Sequence, residues 1–228
     1  MTSEATVPSR ASWNWSKTTE TQKALLDVAL EVFVEHGFAG ASIQDIVDGA
    51  GSSVGSIYHH FGDKSGLYLA LWESWMNSQE KYAAKAVSAA RRSGEGRAVA
   101  LFAAGARGYL EGAWRTRATG SLFFDKDGPP GFDTMRRTRH LEWLRQNALL
   151  LDTPDDPIGR VTVAVLTSVI GEASREVMAS RTRREAYKII DVAMSMIEAD
   201  PTSTHPVLRL ATHARELLAE ATTETARP

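Results

Sequence analysis

From Thr18 almost to its end, the chain repeats apolar residues every three or four positions, and clusters of glycine or proline cut that rhythm into segments. Such a period buries one continuous face only in an α-helix, and no stretch alternates by two as a half-buried strand does. The most regular run is Ile158, Val161, Thr162, Val165, Leu166, Val169, Ile170, Ala173 and Val177. Leu25, Val28, Ala29, Val32, Phe33 and His36 form another stripe, and Leu67, Tyr68, Leu71, Trp72, Trp75 and Met76 a third. The breaks fall at Gly37, Gly49–Ser52, Gly62–Asp63, Arg92–Gly94, the FFDKDGPPGF run of Phe123–Phe132, Thr153–Pro157, and Pro201 with Pro206. This pattern predicts an all-α chain of about nine or ten helices, including a short one near 117–124 and a last one over 206–221.

With 228 residues, 43% of them hydrophobic, the chain can bury a core as one large or two unequal domains. It has no cysteine, which excludes disulfides, thiolate chemistry and cysteine zinc sites and fits a reducing cytoplasm. The first residues, MTSEATVPSRASWNWSK, are polar and lack the apolar core of a secretory signal. Val161–Gly171, the most apolar stretch, falls short of the roughly 20 residues that a membrane span needs. The expectation is a soluble cytoplasmic chain with no membrane partner.

The functional information concentrates in SIQDIVDGAGSSVGSIYHHFGDK, Ser42 to Lys64. Two short helices joined by a glycine-containing turn make a helix-turn-helix. Ser42 with Asp45 three residues later marks the first helix start, and Ala50 and Gly51 suit the turn. Ile57 and Phe61, four apart, anchor the second helix, predicted over 53–60. Its other face then holds Val54, Gly55, Tyr58 and His59. In this motif the second helix enters the major groove with its N-terminal residues at the base edges. The small residues Ser53, Gly55 and Ser56 let its N-terminal N–H groups approach phosphate. Tyr58, His60 and Lys64 have the reach for phosphates, and Ser42 adds a hydroxyl and an N–H group. The candidate DNA-binding set is therefore Ser42, Ser53, Val54, Gly55, Ser56, Tyr58, His59, His60 and Lys64.

The order Ser42-Ile43-Gln44-Asp45-Ile46, then Ala50-Gly51-x-Ser53-x-Gly55-Ser56-Ile57-Tyr58-x-x-Phe61-x-x-Lys64, resembles the N-terminal domain of the tetracycline-repressor (TetR) family over residues 20–72. The resemblance implies a three-helix DNA-binding domain, a larger helical ligand-binding and dimerisation domain, and a homodimer on a palindromic operator. It gives a division into an N-terminal arm (1–16) expected to be disordered, a DNA-binding domain (17–64) and a sensing domain (65–228). Two positions depart from the family pattern: Ser52 replaces an apolar residue, and Val47 stands where alanine is common. Charge departs as well. Over residues 1–70, four bases (Arg10, Lys17, Lys23, Lys64) face eight acids, leaving −4.

In the second half, Phe102, Tyr109, Trp114, Phe123, Phe124, His140 and Trp143 are candidates to line a mostly apolar cavity for a small-molecule effector of unspecified identity; each is equally an ordinary core residue. Arg136, Arg137, Arg139 and Arg145 read as a solvated face, or one of them as a partner for an acidic ligand. The last two strongly periodic helices offer a four-helix dimer contact through Val165, Val169, Gly171, Ala173, Tyr187, Ile190 and Met194, against the alternative of burial within one chain. No cofactor and no metal is expected: adjacent His59 and His60 diverge on a helix, and no histidine follows a glutamate by three. The expected function is a ligand-responsive repressor and not an enzyme. The alternatives are an all-helical enzyme or carrier with a vestigial motif, and a regulator that takes no small molecule.

Overall fold

A computed structural model describes the backbone of residues 10–124 and 127–198, with side chains from Glu20 onward. Among the described residues there are nine helices and no strand. They are α1 (Arg10–Gly40), α2 (Ile43–Gly49), α3 (Val54–Phe61), α4 (Lys64–Arg92), α5 (Ala98–Arg115), α6 (Arg117–Leu122), α7 (Phe132–Leu150), α8 (Pro157–Ala179) and α9 (Arg183–Ile197). The all-α expectation holds. The helix expected over 206–221 lies outside the described residues, as do residues 1–9 of the arm. The rest of that arm differs from expectation: α1 begins at Arg10, and no glycine or proline interrupts the chain before Gly37.

The chain divides into two compact units, residues 1–78 with 118–137 and residues 79–117 with 138–228. A boundary at 64/65 is therefore misplaced: the first half of α4 and the Phe123–Phe132 segment belong with the N-terminal helices. The physical reason is Tyr68. Its fully buried ring meets Phe33, Phe38, Phe123 and Phe132 edge to face, with centroids 5.3–5.4 Å apart. Its hydroxyl donates to the carbonyls of Leu122 and Asp127, each at 3.2 Å.

In the first unit, α1 packs on α2 and α2 on α3. Leu25, Ala29 and Phe33 of α1, Ile46 and Val47 of α2, Ile57 of α3, and Leu67 and Leu71 of α4 form the core. Gly37 breaks α1 as expected, with φ 70° and ψ 176°. Gly49 lets α2 approach α1, since a Cβ there would lie 2.8 Å from Val28 Cγ1. The turn of the motif is a Schellman closure: Ser52 N–H donates to Val47 O (2.9 Å), Gly51 N–H to Asp48 O (3.3 Å), and Gly51 takes φ 57°. Such closures often carry an apolar contact between these two flanking positions; Ser52 gives that up, consistent with its departure from the family pattern.

In the second unit, α5 packs on α8 and α9, and α8 on α9. A stripe of small residues lets α5 lie close to the second half of α4: a Cβ at Gly108 would sit 2.7 Å from Tyr82 O, and one at Gly112 2.5 Å from the Tyr82 ring. Buried Gln79 of α4 donates to Thr116 at 2.6 Å.

The junction of α3 and α4 is the tightest point of the first unit. Asp63 caps α4 by accepting from Gly66 N–H at 2.8 Å, and a Cβ on Gly66 would fall 1.8 Å from Phe61 O. Gly66→Ala should cost about 3 kcal/mol, because a backbone atom must move. Tyr68→Phe, which removes one buried donor and no packing, should cost about 1 kcal/mol. Urea denaturation of the two variants checks the ranking.

Candidate nucleic-acid interface and cavity

α3 has one fully buried residue and exposes most of its first two turns. Ile57 is completely buried, while Tyr58 is 56% and Val54 37% exposed; Ser53, Gly55 and His59 are exposed as well. Ser53 caps the helix: its Oγ accepts from Ser56 N–H at 3.2 Å and lies 3.1 Å from Ser56 Oγ. Ser42 caps α2 by accepting from Gln44 N–H at 3.1 Å, one residue short of the Asp45 pairing expected from sequence. Ser42 keeps its hydroxyl hydrogen, and the Ser53–Ser56 hydroxyl pair, which uses one hydrogen between them, keeps the other. A Cβ at Gly55 would meet only Ser53 Oγ, at 3.7 Å, so glycine there leaves open space on the outer face and is not required by the fold.

Two residues of the expected DNA-binding set turn back toward their own chain. Lys64 does not extend outward. Its Nζ donates to the carbonyls of Phe38 (2.7 Å), Ala41 (3.0 Å) and Ala39 (3.3 Å) and lies 4.7 Å from the Phe38 ring centroid. An ammonium has three N–H donors, and all three are used on the α1–α2 connector. Asp127 binds the same connector by accepting from Ala39 N–H at 3.3 Å. His60 is half-buried and turns back toward α1, its Nδ1 3.5 Å from Gln22 Nε2.

Within the second unit a cavity of about 480 Å³ opens between α4, α5, α7 and α8. Phe102, Tyr109 and Trp143 line it, and Tyr109 and Trp143 meet edge to face at 4.8 Å. Burial pushes the Tyr109 hydroxyl up to about 12, partly opposed by the neighbouring Ser174 hydroxyl. The other four candidates do not line it. Trp114 stacks under the Arg117 guanidinium at 3.9 Å, His140 is exposed on α7, and Phe123 and Phe124 pack on Trp75 in the first unit. Glu80, Asn147 and Thr167, not among the expected residues, also stand in the wall. Thr167 had a signal, a polar residue between Val163 and Ile170 on the buried face of α8.

On α8 and α9 the expected interface residues separate. Val165 is 56% exposed, Val169 and Tyr187 are half-buried, and Gly171 is exposed with nothing within 4 Å of a built Cβ. Ile190 and Met194 are instead buried within the unit and offer almost no surface to a second copy, while Ala173, 9% exposed, lines the groove between the two helices. The apolar groove between the two helices is lined by Val165, Val169, Ile189, Val192 and Met196.

Residues 25–71 match the family model of bacterial regulatory proteins, tetR family. Residues 25–71 therefore carry the DNA-binding domain pattern of that family. The HTH-type transcriptional repressor AcnR of Corynebacterium glutamicum is 44% identical over 55 residues, 24% of this chain and 29% of that protein. The HTH-type transcriptional repressor KstR2 of Mycobacterium tuberculosis H37Rv is 48% identical over 53 residues, 23% of this chain and 26% of that protein. The chain thus matches less than a third of the length of these relatives. Among solved structures, a TetR-like transcriptional regulator from Rhodococcus sp. RHA1 superposes with a TM-score of 0.59 at 17% identity, over 78% of this chain and 93% of that one. A transcriptional regulator from Aquifex aeolicus VF5 does so with a TM-score of 0.59 at 19% identity, over 78% and 98%. The chain therefore shares the fold of those regulators well beyond the matched residues. No helix among the described residues is long and apolar enough to cross a membrane.

With Lys64 committed to carbonyls, a duplex docked on this face would meet hydroxyl and backbone N–H groups, which displace few counterions. Each neutralised phosphate contributes roughly 0.9 to the slope of log K against log salt. Duplex binding should therefore fall with a slope of magnitude about 4 or less; a titration between low and high salt measures it. Tyr58→Ala should weaken duplex binding by about tenfold, the scale of one lost positioning contact, with an unchanged melting temperature.

Proposed function

We propose that this chain is a transcriptional repressor that grips a palindromic operator as a homodimer and is released when a small molecule enters the cavity of the second unit. The observation that carries the reading is the split of α3: Ile57 is fixed in the core while Val54, Gly55 and Tyr58 face solvent on a capped helix. Such a rod is built to enter a groove. The relatives that share this domain are named as repressors.

Two copies are needed to read a palindrome, with their α3 helices about 34–36 Å apart, one turn of the duplex. The exposed apolar face of α8 and α9 is the surface we assign to the second copy. An effector acts by favouring a dimer whose two α3 helices are mis-spaced. A coupling of about 1–3 kcal/mol changes DNA affinity by about 5–150-fold. α4 runs unbroken from its Lys64 start in the first unit to Arg92 in the second, and α7 also has residues in both, so two helices connect reading head and cavity along the chain.

The test is selection of fragments from genomic DNA by the purified protein. Enriched fragments should share an inverted repeat, and enrichment no better than for bulk DNA contradicts the reading. Val165→Glu should convert the dimer to monomer in sedimentation while leaving the helical content intact, and should weaken duplex binding by at least about tenfold.

A further inference from the structure

The cavity of the second unit is short of usable charge. Its wall carboxylate, Glu80, is ion-paired to Arg139, whose guanidinium also lies 3.3 Å from Glu142. Its basic residue, Arg91, is exposed in the last turn of α4 and stays solvated. The Tyr109 phenol is neutral at neutral pH, and burial pushes its ionisation still further up. An ion entering such a space sheds its hydration and meets no free counter-charge, a loss that burial of its apolar part must overcome. An uncharged molecule meets no such penalty and gains from every apolar atom buried against Phe102, Tyr109 and Trp143.

Of the uncharged polar lining residues, Ser88 and Gln146 are exposed, and Asn147 and Thr167 form a pair in the wall. Asn147 Nδ2 donates to the buried Thr167 Oγ1 at 3.0 Å. That bond leaves the Asn147 carbonyl oxygen as an acceptor and the Thr167 hydroxyl hydrogen as a donor. A hydroxyl on a ligand can satisfy both, and a carbonyl can satisfy the second. A cavity of about 480 Å³ is in the size range of organic-ligand sites, which combine apolar walls with a few placed polar groups.

We propose that this cavity takes an uncharged, largely apolar organic molecule bearing one hydroxyl or carbonyl, which Asn147 and Thr167 recognise. Its regulatory consequence rests on the effector reading above, but its binding does not. The full-length protein is titrated by calorimetry at neutral pH with three probes of one shape: biphenyl-4-methanol, biphenyl-4-carboxylate and biphenyl-4-methylammonium. The alcohol should bind at least about tenfold tighter than either ion. Thr167→Val should weaken the alcohol at least about threefold, with the fold checked by circular dichroism; Asn147→Leu serves if that variant does not fold. The proposal is overturned if either ion binds within about tenfold of the alcohol, if the alcohol fails to bind at about 1 mM, or if the folded variant binds it as wild type does. Release of a selected duplex is read separately. An alcohol that binds and leaves the duplex bound overturns the effector reading alone, and an ion that outbinds the alcohol and releases the duplex overturns the ligand class alone.

Discussion

The buried ring of Tyr68 is the contact on which the first unit depends. It joins α1, through Phe33 and Phe38, to the segment around Phe123 and Phe132, more than 50 residues away in sequence. Edge-to-face pairs at these distances add about 0.5–1.5 kcal/mol each beyond the area they bury. Around that ring the Lys64 ammonium fixes the α1–α2 connector, Asp127 closes over the same connector, and Asp63 caps α4. These contacts set the base from which α2 and α3 project.

That base explains an economy of charge. A lysine beside a helix-turn-helix looks like a phosphate contact, yet here it is an internal strap whose three donors are used. The first unit can therefore be acidic overall and still suit the proposed role, because the groups that α3 exposes are hydroxyls, backbone N–H groups and a tyrosine. The cavity of the second unit follows a similar rule: its charges are paired or solvated, and an amide–hydroxyl pair stands in its wall.

The helix-turn-helix was legible in the sequence because local chemistry determines it. Gly51 supplies the turn, Ser53 the cap, Ile57 the anchor, and none needs a distant partner to be recognised. The roles of Phe123 and Phe124 were not legible, since they sit in an aperiodic stretch and their place is set by Trp75 and Tyr68 through tertiary packing. α8 misled for another reason. Its strongest apolar stripe, Ile158, Val161 and Val165, is 47–63% exposed, while the buried stripe carries Thr167 and Ser174. A period of 3.6 reveals that a face avoids water but not whether its own chain or another covers it. Ile190 and Met194 show the converse, apolar positions that look available and are consumed within the subunit.

The central claim is that α3 is a groove-entering rod, used in two copies at one duplex pitch. Hydroxyl-radical footprinting of the full-length protein on a selected duplex tests it most directly. The account predicts two protected patches on one face of the DNA, with centres about 10 base pairs apart. A single patch, or uniform cleavage at a protein concentration that saturates binding, contradicts it.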